Sequence, residues 1–240
     1  MLEFRDVPEG GTISALAGAA RDSGVRTAQV PMHRNPYVPI PSDPAELQKM
    51  PVNKKLRSQL RGIRKGMAEE GQLQLKRVSE ADPAVLERFY ELESAGWKGS
   101  EGSAIKCNPQ LRQFYAEISQ AAERFGYLCI YSLELNGELL ASHFGLSHRG
   151  RYFSPKIAYN EKFRQYAPGH LIVSEIVQDC ASRGISEYDI IGVEDDWKMK
   201  WASAARPKCK YLVFRPGLPG SLAHTLSFRL RPLVKKLIRR

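Results

Sequence analysis

Apolar residues are spaced in two clear rhythms along this chain. In residues 53–70, Leu56, Leu60, Ile63 and Met67 recur at three- and four-residue steps, which predicts a helix capped by Asn53. LQLKRV at 73–78 alternates and reads as a strand. Asp82 and Pro83 open a second helical pattern through SEADPAVLERFYELES, and Asn108-Pro109 opens a third that reaches Arg124. Between them GWKGSEGSAIKC reads as a glycine-rich loop. Three strand-like runs follow: YLCIYSLEL, ELLASHFGLSH and RYFSPKIAY. Asn136-Gly137 and Arg149-Gly150 join them as hairpin turns. The polar stretch NEKFRQYAPGH leads into the helix LIVSEIVQDCASRG, closed by Gly184. EYDIIG is a short buried strand, VEDDWKMKWA a short helix and KYLVF a last strand.

The ends of the chain have a different texture. Seven of the fifteen prolines lie in the first 51 residues. There TISALAGAARD predicts a short helix, VRTAQVPM a strand, and NPYVPIPSDP an extended, turn-rich stretch. The tail, SLAHTLSFRLRPLVKKLIRR, reads as an amphipathic helix kinked at Pro232. The expected fold class is α+β (mixed α/β), a mostly antiparallel mixed sheet flanked by helices and closed by a strand-turn-helix crossover. The expected division is a connector at 1–50, a main domain at 51–215 and a basic tail at 216–240.

Charge changes this picture locally. Residues 53–77 hold eight Lys/Arg against two acids, and 215–240 hold seven against none; the rest of the chain has 21 basic and 24 acidic residues. Two basic devices on a mildly acidic body point to polyanionic partners. The helix at 53–67 is either a solvated face or an attractor of phosphates, and no aromatic residues interleave its arginines for base stacking. In the tail, Leu222, Leu226, Leu230, Leu233, Leu237 and Ile238 share one side, flanked by Arg229, Lys235, Lys236, Arg239 and Arg240. That pattern suits peripheral contact with an anionic membrane through 222–240, or packing on another protein segment. No run approaches the ~18 apolar residues of a membrane span, and MLEFRDVPEGG has no secretory h-region. Cys107, Cys129, Cys180 and Cys209 form no CxxC, so buried free thiols and a cytoplasmic location are expected, at the inner face of the membrane if the tail attaches there.

The candidate chemistry gathers at 164–170. Arg164-Gln165-Tyr166-Ala167-Pro168-Gly169 lies where a strand gives way to a helix, whose first N–H groups lack partners and attract phosphate. The hexapeptide resembles the Arg/Gln-x-x-Gly-x-Gly/Ala motif of the GNAT acyltransferases, with Ala167 in place of the first glycine. Residues 51–201 further resemble the Fem-type branch of that superfamily, which includes FemAB-like and CelD-like proteins. The resemblance rests on KKLRSQLRGIRKGMAEEG, ELESAGWKGSEGSAI, the turn from AYN to PGHL, and YDIIGVEDDWKMKW. It implies a GNAT-like fold and acyl-CoA, acetyl-CoA in the simplest case, as co-substrate. Arg164, Gln165, Ala167, Gly169 and His170 are then the coenzyme-binding residues. It also makes 1–50 resemble the last part of a first GNAT-like half.

Acyl transfer to an amine needs a held donor, a stabilised oxyanion and a neutral nucleophile. Trp197-Lys198-x-x-Trp201 resembles the Phe-Lys-x-x-Phe of Fem-type transferases, which implies that Lys198 acts electrostatically near the reacting carbonyl. Its other reading is a lysine stem lying on packed tryptophans. Asp189, inside an apolar strand, needs a partner, either an acceptor amine or a salt bridge. Asp196 suits a helix cap. Trp97 and Lys98 match the family's Trp-Lys-Gly segment and, with Tyr159 and Trp197, are expected to line the acceptor cleft. Lys156 and Tyr159 must face opposite ways on one strand. His143 and His148 make no metal spacing, and no metal is expected. GLSHRG is not a GxSxG nucleophile elbow, and GxxxxGK[ST] is absent. The expectation is an N-acyltransferase of the cell envelope or polysaccharide biosynthesis, moving acetyl from acyl-CoA to an amine of a sugar, amino acid or precursor. The alternatives are Fem-like aminoacyl transfer from tRNA to a peptidoglycan precursor, and a non-catalytic binding half-protein.

Overall fold

The computed structural model describes residues 1–95, 102, 104–226 and 228. They form two compact units: residues 36–191 with 195–204, and residues 1–35 with 192–194 and the chain from 205 onward.

The first unit carries the candidate site. Its helix α2 (Lys54–Glu70) begins where the Asn53 side chain accepts from the N–H groups of Lys55 and Leu56, at 3.0 and 3.2 Å. Leu56, Leu60 and Met67 bury the expected stripe. Strand β3 (Leu73–Val78) then starts an antiparallel meander with β4 (Ile130–Leu135), β5 (Glu138–His148) and β6 (Arg151–Tyr159). Asn136 and Gly137 both have positive φ, as do Arg149 and Gly150, so both hairpins use the turns that match strand twist. Helices α3 (Pro83–Ala95) and α4 (Pro109–Arg124) cover one face of this meander. There Phe89, Tyr115, Phe144 and Ala158 share a core. The other face packs on α2 and on α5 (Pro168–Ser182), through Leu133, Ala141, Tyr152, Leu171 and Ile176. Helix α5 crosses over to β7 (Glu187–Asp189), which runs parallel to β6. The short helix α6 (Asp196–Met199) completes the unit.

In the second unit β1 (Leu2–Pro8) pairs antiparallel with β8 (Ala204–Val213). Helix α1 (Thr12–Asp22) and the start of β2 (Thr27–Pro39) join them. A small core holds Ala17, Cys209 and Tyr211. Helix α7 (Leu218–Thr225) follows, with Leu218 and Leu222, and Leu226 beyond it, exposed at four-residue spacing.

The mostly antiparallel mixed sheet with flanking helices is the expected fold class. Four local expectations need correction. Strand β1 was not anticipated, because its burial alternates poorly and a bulge at Asp6, φ 56°, interrupts its pairing. Strand β2 runs through the prolines to Pro39, because proline can still accept: Pro36 takes the Ile190 N–H at 3.3 Å. The helix expected over 193–202 is confined to Asp196–Met199, with Asp195 at the cap position and no side-chain cap bond. Cys129, Cys180 and Cys209 are buried free thiols, but Cys107 is exposed.

His143 is fully buried on β5. Its Nδ1 lies 3.1 Å from Ser154 Oγ and 3.4 Å from the Tyr188 hydroxyl, and Nε2 has no hydrogen-bond partner among the described residues. Burial pushes the imidazole pKa down to about 3, so it is neutral in the fold. An unfolded histidine titrates near about 6.5. Between those values the unfolded chain binds the extra proton, so stability is full above about pH 6.5 and falls as pH drops. Urea unfolding between pH 7.5 and 4 should show a wild-type slope steeper than that of His143→Gln by about 1.4 kcal/mol per pH unit below about pH 6. Parallel curves would mean that the imidazole is not buried neutral.

Candidate active site

Strands β6 and β7 pair only briefly. Arg151, Tyr152 and Phe153 stand opposite Glu187, Tyr188 and Asp189, after which β7 ends while β6 continues to Tyr159. The chain leaves through Ile191 at φ 48°. A β-branched residue in the left-handed region is a true outlier and must be held there. Asp189 Oδ1 accepts the Ile191 N–H at 2.9 Å, and the Lys198 ammonium donates to the Ile191 carbonyl at 3.0 Å. Lys198 also lies 3.1 Å from Asp195 Oδ2 and 5.8 Å from the Trp197 ring centroid. The two residues singled out for chemistry thus meet on either side of one strained residue. Both are buried, Asp189 at 4% and Lys198 at 8% exposure.

The mouth of the gap is built by the turn after β6. Asn160 Oδ1 accepts the Lys162 N–H at 3.1 Å, and a 3-10 turn runs from Glu161 to Tyr166. The Tyr166 hydroxyl donates to the Glu70 carboxylate at 2.7 Å, tying the turn to the end of α2. Ala167, at φ 46° and ψ 53°, then reverses the chain into Pro168 at the first position of α5. The Ala167 carbonyl accepts from the N–H groups of His170 and Leu171, at 2.9 and 3.0 Å. No side chain caps this helix, and the Gly169 N–H has no protein acceptor among the described residues. A Cβ at Gly169 would meet Tyr159 Cδ1 at 3.5 Å and Ile157 Cδ1 at 3.9 Å, which are ordinary contacts. The fold itself therefore does not demand glycine there.

Arg164 and Gln165 are exposed on this turn. Burial, followed by a hydrogen bond to Glu161, raises the Tyr159 pKa, and the Arg164 charge opposes this. Arg164, Tyr159 and Gly169 are therefore neighbours at one mouth. His170 faces elsewhere: its Nδ1 accepts the Trp201 indole N–H at 2.9 Å, so Nε2 carries the proton. Burial and then the nearby Lys200 charge lower its pKa. Trp197 is half-buried against the core on the α2 and α5 side. Trp97 and Lys98 lie outside the described residues.

Alternation along β6 puts Lys156 on the opposite face from Tyr159. Its ammonium lies 3.1 Å from Glu93 Oε1, while Glu93 Oε2 accepts the Ile105 N–H at 2.7 Å. Burial, with the Glu93 charge second, pushes the Tyr115 pKa up to about 12. Sequence reasoning passed over Glu93. The available signal was its place in the buried stripe Leu86, Phe89, Tyr90, Glu93. Among the described residues no group of three or more His, Cys, Asp or Glu could hold a metal ion, and no helix is long and apolar enough to cross a membrane.

The profile of the acetyltransferase (GNAT) domain family matches residues 54–199, and the chain belongs to that family. No curated protein sequence matches it significantly. Among solved structures it is similar to FemX, with TM-score 0.61 and 12% identity over 87% of this chain and 71% of that one. It is also similar to the C-terminal DUF2156 domain of an Agrobacterium fabrum protein assigned as a lysylphosphatidylglycerol synthetase, with TM-score 0.58 and 13% identity over 93% and 72%. L-PGS from Bacillus licheniformis aligns with TM-score 0.54 and 14% identity over 96% and 73%. At these identities the likeness is one of fold.

The left-handed geometry of Ala167 yields a direct test. Glycine there relieves roughly 1–2 kcal/mol of strain and gives back part of it through unfolded-state freedom. Ala167→Gly should therefore raise the unfolding free energy by about 0.5–1 kcal/mol in urea titrations. An unchanged or lowered midpoint would contradict the turn described.

Proposed function

We propose that this GNAT domain transfers an acyl group, acetyl in the simplest case, from a coenzyme A thioester to an amine of a sugar, amino acid or cell-envelope precursor. The observation that carries the reading is that the β6–β7 ladder stops at Phe153 and Asp189 while β6 runs on to Tyr159, toward the Gly169 amide and Arg164. Coenzyme A has a diphosphate joined to an arm with two amide groups. A strand that runs past the end of its neighbour suits such an arm, because strand backbone offers N–H and C=O groups in sequence. The diphosphate would meet the Gly169 N–H, the positive end of α5 and the Arg164 guanidinium. The thioester would then reach the end of the gap near Ser154, where strand N–H groups can receive the developing oxyanion. In this reading Asp189 and Lys198 are positioning residues, acting through the Ile191 peptide to keep the gap open. Tyr159 and Trp197 remain candidates for contact with the substrates.

A second reading is aminoacyl transfer from tRNA. It draws support from the shared fold with FemX and L-PGS.

Calorimetric titration of the full chain with acetyl-CoA separates the two. The first reading predicts saturable binding that weakens at high salt. It also predicts about tenfold weakening, about 1.4 kcal/mol, in Arg164→Ala. Gly169→Asp should abolish binding by placing a carboxylate against the diphosphate, and Gly169→Ala should leave the fold intact. No acetyl-CoA binding by the wild-type chain, together with binding of aminoacyl-tRNA, would reject the first reading in favour of the second.

A further inference from the structure

Helix α7 (Leu218–Thr225) has two faces, each marked by a residue at every fourth position. On one, Gly220 is buried so close to the Arg215 carbonyl that a Cβ there would collide with it. His224 and, beyond the helix, Phe228 continue that face. Their rings meet Phe214 edge-on, with centroids 5.2 and 6.3 Å away. Phe214 is itself buried and directly follows β8. This face is therefore committed to the fold, and the helix is fixed in rotation.

The other face lies two residues out of phase, about 200° round the helix. There Leu218, Leu222 and Leu226 are 80%, 62% and 56% exposed, and Pro219 and Ala223 beside them are exposed as well. Isolated exposed leucines are ordinary on a protein surface, but three in one row on a fixed helix make a continuous apolar ridge. In sequence the three- and four-residue step continues at Leu230, Leu233 and Leu237, and residues 215–240 carry seven Lys/Arg and no acid.

That charge limits what can cover the ridge. A second copy of the chain would set seven cations against seven, and like charges face to face oppose association. A specific protein partner is held through aromatic anchors and paired donors and acceptors. Phe228 is the one Phe, Tyr or Trp in residues 218–240, and its ring already packs on Phe214. An anionic bilayer requires only apolar side chains below the headgroups and cations at their level. We propose that residues 218–240 form a peripheral docking surface for an anionic lipid bilayer, with Leu218, Leu222 and Leu226 entering the headgroup layer and the cations of 229–240 meeting lipid phosphates. The inference does not depend on the acyl-transfer reading.

The test is sedimentation of the full chain with vesicles of equimolar phosphatidylglycerol and phosphatidylcholine, beside vesicles of phosphatidylcholine alone. Partitioning should be at least tenfold stronger into the anionic vesicles and should weaken as salt is raised. Leu222→Ser combined with Leu226→Ser changes no charge and alters only exposed side chains. It should weaken partitioning at least tenfold and leave the urea midpoint unchanged. Leu16→Ser combined with Phe125→Ser, comparably exposed apolar residues elsewhere, should have no effect on partitioning. Equal partitioning into both kinds of vesicle, none into either, or full partitioning of the Leu222 and Leu226 variant would each overturn the proposal. So would a dimer in solution, seen by analytical ultracentrifugation, that the same variant dissolves, since a second copy would then cover the ridge.

Discussion

One backbone constraint governs the candidate site: Ile191 must be held in a conformation that its branched side chain disfavours. Such strain costs about 1–3 kcal/mol. Two hydrogen bonds to charged partners act against it, each contributing about 1.5–3 kcal/mol. Asp189 grips the N–H and Lys198 the carbonyl, both from buried positions. The balance favours the strained form. Its consequence is that the chain turns away after Asp189 while β6 continues to Tyr159, and a gap opens between them.

The same short segment secures the turn beside that gap. Lys198 holds Ile191, and Trp201, three residues later, bonds His170 in the first turn of α5. Tyr166 adds a separate tie to Glu70. The Gly169 amide is therefore presented by a turn anchored from two directions rather than by a loop that must be ordered on binding. Pre-organisation of this kind removes an entropic cost from ligand capture. On the opposite face, Glu93 fixes Lys156 and leaves Ile157 and Tyr159 beside the helix start.

Much of this was legible in the sequence where the signals are local. The cap at Asn53, the leucine stripe of α2, both hairpin turns and the Pro168-Gly169 helix start lie within a few residues of what they determine. Asp189 could be recognised as a buried acid in need of a partner, and Lys198 as a lysine between tryptophans. Their shared partner could not, because a backbone carbonyl made available by a left-handed isoleucine has no signature in residue types. Strand β1 and the proline-rich second half of β2 were obscured because proline and weak alternation mask pairings made with distant residues. Glu93 was hidden by its type, since a glutamate in a helix is usually solvated.

Amide hydrogen exchange with and without coenzyme A tests the central claim most directly, because it reads the strand edge itself. The account predicts slowed exchange in residues 154–159 and at Gly169 on adding coenzyme A, with β3, on the far side of the meander, unchanged. Unaltered exchange in both of those segments, or protection confined to other elements, would contradict the claim that the parting of β6 and β7 receives the acyl donor.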